Sequence, residues 1–347
     1  MSAAPDPKSI SDADEAVSQG SLERPSPSHL SSNEDDEKSI SLIQAVEYDD
    51  YDLVVEKLKT PQDLEVEEFG RTALNNAHSL PIVLALLAAG ANIQKISHEG
   101  RRALVGLSPE TSEEPLSTIS SEQFLSGCNR LFGTKNPDRL DMPFWDAMIR
   151  SGKNAWVAGN YFKDKFGVKR DFPGTPVWCA ERFGQSITRL PDGRVIQIGG
   201  EHEDSYDPDF CIYNDVWEHH PDGSFVVYSY PEDVFQPTDN HSATLMGGYI
   251  YVIGCLGYGE NPRYDHTPVY KLDTASFAME EVEVVGEAPG RIYKHAAVVV
   301  SEHEICVSGG KVSKTEEGPN TDNDTENILN ISDSTWRRKT PDHTVGR

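Results

Sequence analysis

Two rhythms of apolar spacing divide the chain. From Ser39 onward, apolar residues recur three and four positions apart: Leu42, Ile43 and Val46, then Leu53, Val54 and Leu58. That spacing predicts two short helices, broken at Tyr48-Asp49-Asp50 and ended by Pro61. The run from Leu80 to Ala89 predicts another helix, closed by Gly90. Residues 108–121 are rich in Pro, Ser and Glu and read as a linker. Phe144, Ala147 and Met148, then Trp156 and Tyr161, suit further short helices. Past residue 181 the rhythm changes. Short apolar runs there alternate with Gly, Asp and Asn turns, which predicts strands throughout the C-terminal half.

Both halves repeat themselves. Gly70-Arg71-x-Ala73-Leu74 recurs as Gly100-Arg101-x-Ala103-Leu104, an offset of 30 residues. Thr72-Ala73-Leu74-x-x-Ala77 and Leu86-Leu87-Ala88-Ala89-Gly90-Ala91-Asn92 resemble the signature and the second-helix ending of ankyrin repeats, over residues 39–107. In the C-terminal half, Gly199, Gly254 and Gly309 each follow an apolar run and lie 55 residues apart. Gln185-Ser186-Ile187, His241-Ser242-Ala243 and His295-Ala296-Ala297 stay in phase with them, and Phe225, Phe277 and Trp336 close the three units. Four β-segments per unit, with a Gly doublet after the second, resemble the kelch repeats of β-propellers, including those of galactose oxidase, over residues 181–340.

These resemblances imply a multidomain α + β chain, with N-terminal ankyrin-like helical repeats followed by an all-β kelch-like propeller. The expected boundaries are a disordered acidic tail over 1–38, ankyrin-like repeats over 39–107, a connecting region over 108–180 and propeller blades over 181–347. A closed propeller has four to eight blades, and three are counted. Either residues 122–180 supply a degenerate fourth, with Trp178-Cys179 a candidate closing strand, or the propeller is incomplete, or closure needs another chain.

Charge narrows the function. The chain has 347 residues, with 31 Lys plus Arg against 57 Asp plus Glu, a formal net charge of −26. Such a surface repels phosphate backbones and anionic membranes, so neither nucleic acid nor a membrane is an expected partner. The five cysteines, at 128, 179, 211, 255 and 306, form no C-x-x-C pair. Reduced thiols in a cytoplasmic protein are the expectation.

The most unusual stretch follows the first Gly doublet. Glu201, His202, Glu203, Asp204, Asp207 and Asp209 would crowd one loop at a propeller face, a donor set suited to a hard cation. The loop lacks the spacing of a known calcium loop, so a solvated acidic loop is the leading reading. His241 and His295 occupy equivalent repeat positions, where they could serve as ligands or bases, or could bond a neighbouring blade. Tyr258 and Arg263 could line the same face. No P-loop, dinucleotide fingerprint or Ser-His-Asp order is present, and no cofactor is implied. Both resembled families mostly bind proteins. The leading expectation is therefore a non-catalytic interaction or scaffold protein whose partner presents a basic surface. The alternative is a metal-dependent enzyme built on the 201–209 loop with His241 or His295.

Overall fold

Helices fill the N-terminal half because the apolar spacing there is helical and the caps agree with it. The computed structural model describes residues 40–167, 177–202, 210–256, 264–314 and 320–339. The acidic tail expected over 1–38 lies outside them. Among the described residues the helices are α1 (Leu42–Glu47), α2 (Tyr51–Leu58), α3 (Ala73–Asn76), α4 (Leu80–Ala88), α5 (His98–Leu104), α6 (Glu114–Ser117), α7 (Ser121–Gly127), α8 (Pro143–Ser151) and α9 (Ala155–Phe166). Asp50, Thr72, Ser97 and Asn154 cap their helices by accepting from the backbone N–H three residues on. Ser120 and Gln123 form a reciprocal capping box on α7. Gly100 on α5 sits so close to α3 that a Cβ would fall 2.6 Å from the Ala77 carbonyl oxygen, which only glycine tolerates. No helix among the described residues is long and apolar enough to cross a membrane.

The strands follow the 55-residue period. The first unit comprises β2 (Ser186–Arg189), β3 (Val195–Ile198), β6 (Val216–His219) and β7 (Phe225–Ser229); a small hairpin of β4 (Glu201–His202) and β5 (Cys211–Ile212) interrupts it. The connecting region adds β1 (Asp138–Leu140) antiparallel to β7, so the sheet runs β1-β7-β6-β3-β2. The second unit is β8 (Ser242–Met246), β9 (Tyr249–Ile253), β10 (Val269–Asp273) and β11 (Met279–Glu281), four antiparallel strands in sequence order. The third gathers β14 (Ala296–Ser301), β15 (Glu304–Ser308), β18 (Glu326–Asn330) and β19 (Thr335–Arg338), with β12 (Val285–Gly286) added parallel to β19. A separate sheet of β13 (Arg291–Tyr293), β16 (Lys311–Ser313) and β17 (Thr321–Asp322) lies beside it. The three first strands neighbour one another in the order β2, β8, β14.

The second unit presents one face to the first and the other to the third. Ile196 and Ile198 meet Ile250, Val252 and Leu272 between the first two units. Tyr251 and Ile253 meet Ile305, Val307 and Trp336 between the second and third. Repeat-equivalent residues therefore do repeat-equivalent packing.

The expected architecture needs correction on one count: the described sheets do not close into a propeller ring. By contacts, Leu42 to Arg347 form one compact unit and Met1–Ser41 another. The physical reason lies at the first sheet. Its outer face, where a ring would place a further blade, packs instead against the connecting region: Trp217 and Val227 share one core with Phe124, Phe144, Trp145 and Trp178. Residues 122–166 thus supply helical packing and the single strand β1 rather than a fourth blade. Trp178-Cys179 adds no strand, and the Trp178 ring stacks on Trp145 at 4.6 Å between centroids. That arrangement blocks closure from this side.

Candidate functional site

Of the polar groups singled out from the sequence, His241, His295 and Glu201 gather at the inner ends of the units. Gly184, Asn240 and Lys294 take the same left-handed backbone conformation, with φ of 59°, 53° and 53°, just ahead of each first strand. The Asn240 N–H donates to the Gly184 carbonyl at 2.8 Å, and the Lys294 N–H donates to the Asn240 carbonyl at 2.8 Å. One backbone bond thus ties each unit to the next at the same position.

His241 and His295 extend this tie. His241 Nε2 lies 2.8 Å from Ser186 Oγ, and His295 Nε2 lies 2.8 Å from Ser242 Oγ. Each imidazole therefore reaches back to the hydroxyl of the preceding unit. Burial lowers the His241 pKa to about 3 and the His295 pKa to about 4, so both rings are neutral across the physiological range. The rings are used one per interface, as staples between sheets.

Glu201 sits beside this line. Asn240 Nδ2 donates to Glu201 Oε1 at 3.2 Å and to Asp239 Oδ2 at 2.6 Å. Burial, reinforced by the Asp239 carboxylate, lifts the Glu201 carboxyl to about 7. His202 points away into the first unit, with Nδ1 2.7 Å from the Tyr213 hydroxyl. Glu203, Asp204, Asp207 and Asp209 lie outside the described residues, as do Tyr258 and Arg263. Among the described residues, no three His, Cys, Asp or Glu side chains are grouped closely enough to hold a metal ion. The thiols of the half-buried Cys255 and the buried Cys179 are poor nucleophiles, since desolvation pushes them up to about 11 and about 12.

A buried ion pair that the sequence did not reveal closes the space beneath. Arg182 Nη2 donates to Asp215 Oδ2 at 2.9 Å, and Arg182 Nε donates to the Cys179 carbonyl at 2.8 Å. The guanidinium lies 3.4 Å from the Tyr213 ring centroid and 4.6 Å from that of Trp217. Both indoles, Trp178 and Trp217, donate to the same carboxylate at 3.1 Å. Desolvation opposes the charge on Arg182, but Asp215 outweighs it and the net shift is upward. This network clamps residues 177–182 onto the first sheet.

The most exposed aromatic lies elsewhere, on the helical segment. Glu68 and Arg71 exchange backbone hydrogen bonds of 3.0 and 3.1 Å across a two-residue turn. Its central residues, Phe69 and Gly70, both have positive φ, 52° and 76°. That geometry suits two-residue hairpins, but it strains a residue such as phenylalanine. Phe69 is 104% exposed and Val66 52% exposed, so the turn holds apolar surface in solvent. Acidic groups rim it and are themselves positioned: Lys95 Nζ lies 3.2 Å from both Glu65 and Glu67. The Asn92 N–H donates to Glu65 Oε1 at 2.9 Å. The sequence carried a signal for this feature in Glu68-Phe69-Gly70-Arg71, a two-residue turn whose glycine supplies only half of the required backbone.

Comparison with known proteins adds little. No family model matches the chain, and no curated protein does. Among solved structures, it is similar to the structure of YjhT at 15% identity, with a TM-score of 0.36, over 49% of this chain and 56% of that one. The chain thus spans little more than half the length of that protein, and a likeness of this degree carries no argument about fold or activity.

Proposed function

We propose that this chain is a non-catalytic interaction protein, and that its helical segment, of ankyrin-repeat type, presents the Val66–Phe69 turn to a protein partner with a basic surface. The observation that carries this reading is Phe69, a fully exposed aromatic held at a costly backbone angle inside a rim of fixed carboxylates. Strain retained at an exposed apolar residue is the mark of a site kept for contact, because burial in this chain gives nothing in return. An aromatic anchor with an acidic rim suits a partner that offers an apolar pocket bordered by Lys and Arg. The net charge of −26 extends that preference to long-range steering. The five cysteines are free thiols, in keeping with a cytoplasmic setting.

The test compares the full chain with Phe69→Asp in affinity capture at low and high salt. The expected result is a partner set with basic surfaces that elutes with salt and is lost from Phe69→Asp. An identical set on both proteins would overturn the reading, as would stoichiometric metal in the purified protein together with a turnover that Phe69→Asp leaves unchanged.

A further inference from the structure

The first sheet meets the helical segment along the edge of β2. Gln94 Nε2 donates to the Ile187 carbonyl at 2.7 Å, and the Ile187 N–H donates to Gln94 Oε1 at 3.1 Å, so a carboxamide covers that edge. Just ahead of the strand stands Gln185, the residue in phase with His241 and His295. Those two histidines reach the serine of the preceding unit. Among the described residues no sheet precedes the first unit, and Gln185 meets α5 instead: Arg101 Nη1 donates to Gln185 Oε1 at 3.0 Å.

This contact leaves hydrogen-bonding groups over. Gln185 is 8% exposed, and its Nε2 has no partner. Arg101 Nε has none either, nor has Nε2 of His98, one turn earlier on α5. Burial lowers the Arg101 guanidinium to about 10 and the His98 imidazole to about 4, so at neutral pH the first is charged and the second is not. Two other buried guanidiniums are matched differently. Arg182 has the Asp215 carboxylate, and Arg102 donates to the carbonyls of Ser108, Ile149 and Arg150 at 2.7, 2.8 and 2.8 Å. Arg101 has one bond, to a neutral amide, and no ion pair among the described residues, although Glu99 and Glu181 lie on the same two segments. A desolvated cation without a counter-charge is unfavourable for the fold alone and calls for an anion. Arg101 and His98 are only partly buried, so the group is reached from solvent at α5.

We propose that Arg101 and Gln185, with His98 beside them, bind a phosphate group. Arg101 Nη1 is committed to Gln185, so the guanidinium keeps its Nε–Nη2 edge, which gives two parallel bonds to an oxyanion. Gln185 Nε2 supplies a third donor, and His98 Nε2 a fourth when the ring carries its proton there. A carboxylate has only two oxygens to set against the guanidinium edge, whereas a phosphate keeps further oxygens for the amide and the imidazole. The net charge of −26 repels extended polyanions, so the ligand is compact: free phosphate or the phosphoryl group of a small metabolite. The site stands independently of the role given to Phe69.

The test titrates inorganic phosphate into the full chain at pH 7.5 and constant ionic strength, read by phosphorus NMR line broadening and by melting temperature. The expected result is saturable binding with a rise in melting temperature that sodium chloride does not reproduce. Arg101→Lys keeps the charge but loses the planar edge, and it weakens binding about tenfold, the loss of one charge-assisted hydrogen bond. Gln185→Glu places a carboxylate against the guanidinium. It abolishes phosphate binding and raises the melting temperature without phosphate, a pair of results that misfolding could not give. Glycerol phosphate distinguishes the sources: binding tighter than that of phosphate supports a metabolite, and weaker binding supports the free anion. Absence of saturable binding overturns the proposal, and so does binding that both variants leave unchanged.

Discussion

At the scale of single residues, two features set the chemistry of this chain: histidines kept neutral and a phenylalanine kept strained. His98, His219, His241 and His295 are all lowered from the usual 6.5, to about 4, 3, 3 and 4, with burial the largest cause in each. The folded state therefore binds fewer protons than the unfolded chain between about pH 6.5 and 4, and stability is lost as pH falls through that window. Each group contributes at most about 1.4 kcal/mol per pH unit. Thermal melts at pH 7.5 and 5.5 should show a loss, and His241→Gln, which can still reach Ser186, should make it shallower by about a quarter, the share of one histidine in four. An unchanged slope would count against the staple role. Glu201 has the opposite sign. Its carboxyl is raised to about 7, so its protonated form is favoured by folding and its contribution fades as pH rises from about 4.5 to 7. Phe69 gives a second expectation. Phe69→Asn relieves left-handed strain and should raise stability by about 0.5–1 kcal/mol while partner binding falls. A loss of stability instead would mean that Phe69 serves the fold.

At the scale of elements, the local pattern was legible and the long-range ties were not. The in-phase glycines and the helical spacing from Leu42 announced their elements because each is written in neighbouring residues: Gly199, Gly254 and Gly309 all have positive φ. Nothing local marks Gln94 as the cover of the β2 edge, 93 residues away, or Asn136 as its counterpart on β11. There, Asn136 Nδ2 donates to the Met279 carbonyl at 2.7 Å, and Asn136 Oδ1 accepts from the Met279 N–H at 2.8 Å. Each carboxamide imitates a missing strand by offering one donor and one acceptor. Gln94→Ala should leave both Ile187 groups without these partners and cost about 1–3 kcal/mol. Amide exchange at Ile187 should accelerate, and exchange no faster than in the parent would remove the edge-cover argument. Arg182 and Asp215, 33 positions apart, were equally invisible. Asp215→Ala strands a buried guanidinium among Trp178, Tyr213 and Trp217 and should cost about 3–5 kcal/mol in urea unfolding.

At the scale of the whole molecule, the excess of acid and the buried ion pair respond oppositely to salt. Most of the negative charge is dispersed over the surface, where like charges repel across a few ångströms of water and are screened at about 8 Å in physiological salt. The Arg182–Asp215 pair is enclosed by aromatic rings and is largely protected from that screening. Added salt should therefore relieve the surface repulsion without loosening the clamp, and the melting temperature should rise between low and moderate ionic strength. Partner association driven by the carboxylates around Phe69 should weaken over the same range, because there the attraction is what salt removes. One titration of sodium chloride, followed by melting temperature and by binding, separates the two. If both fell together, the acidic surface would be holding the fold rather than presenting it, and the case for a basic partner would fail with it.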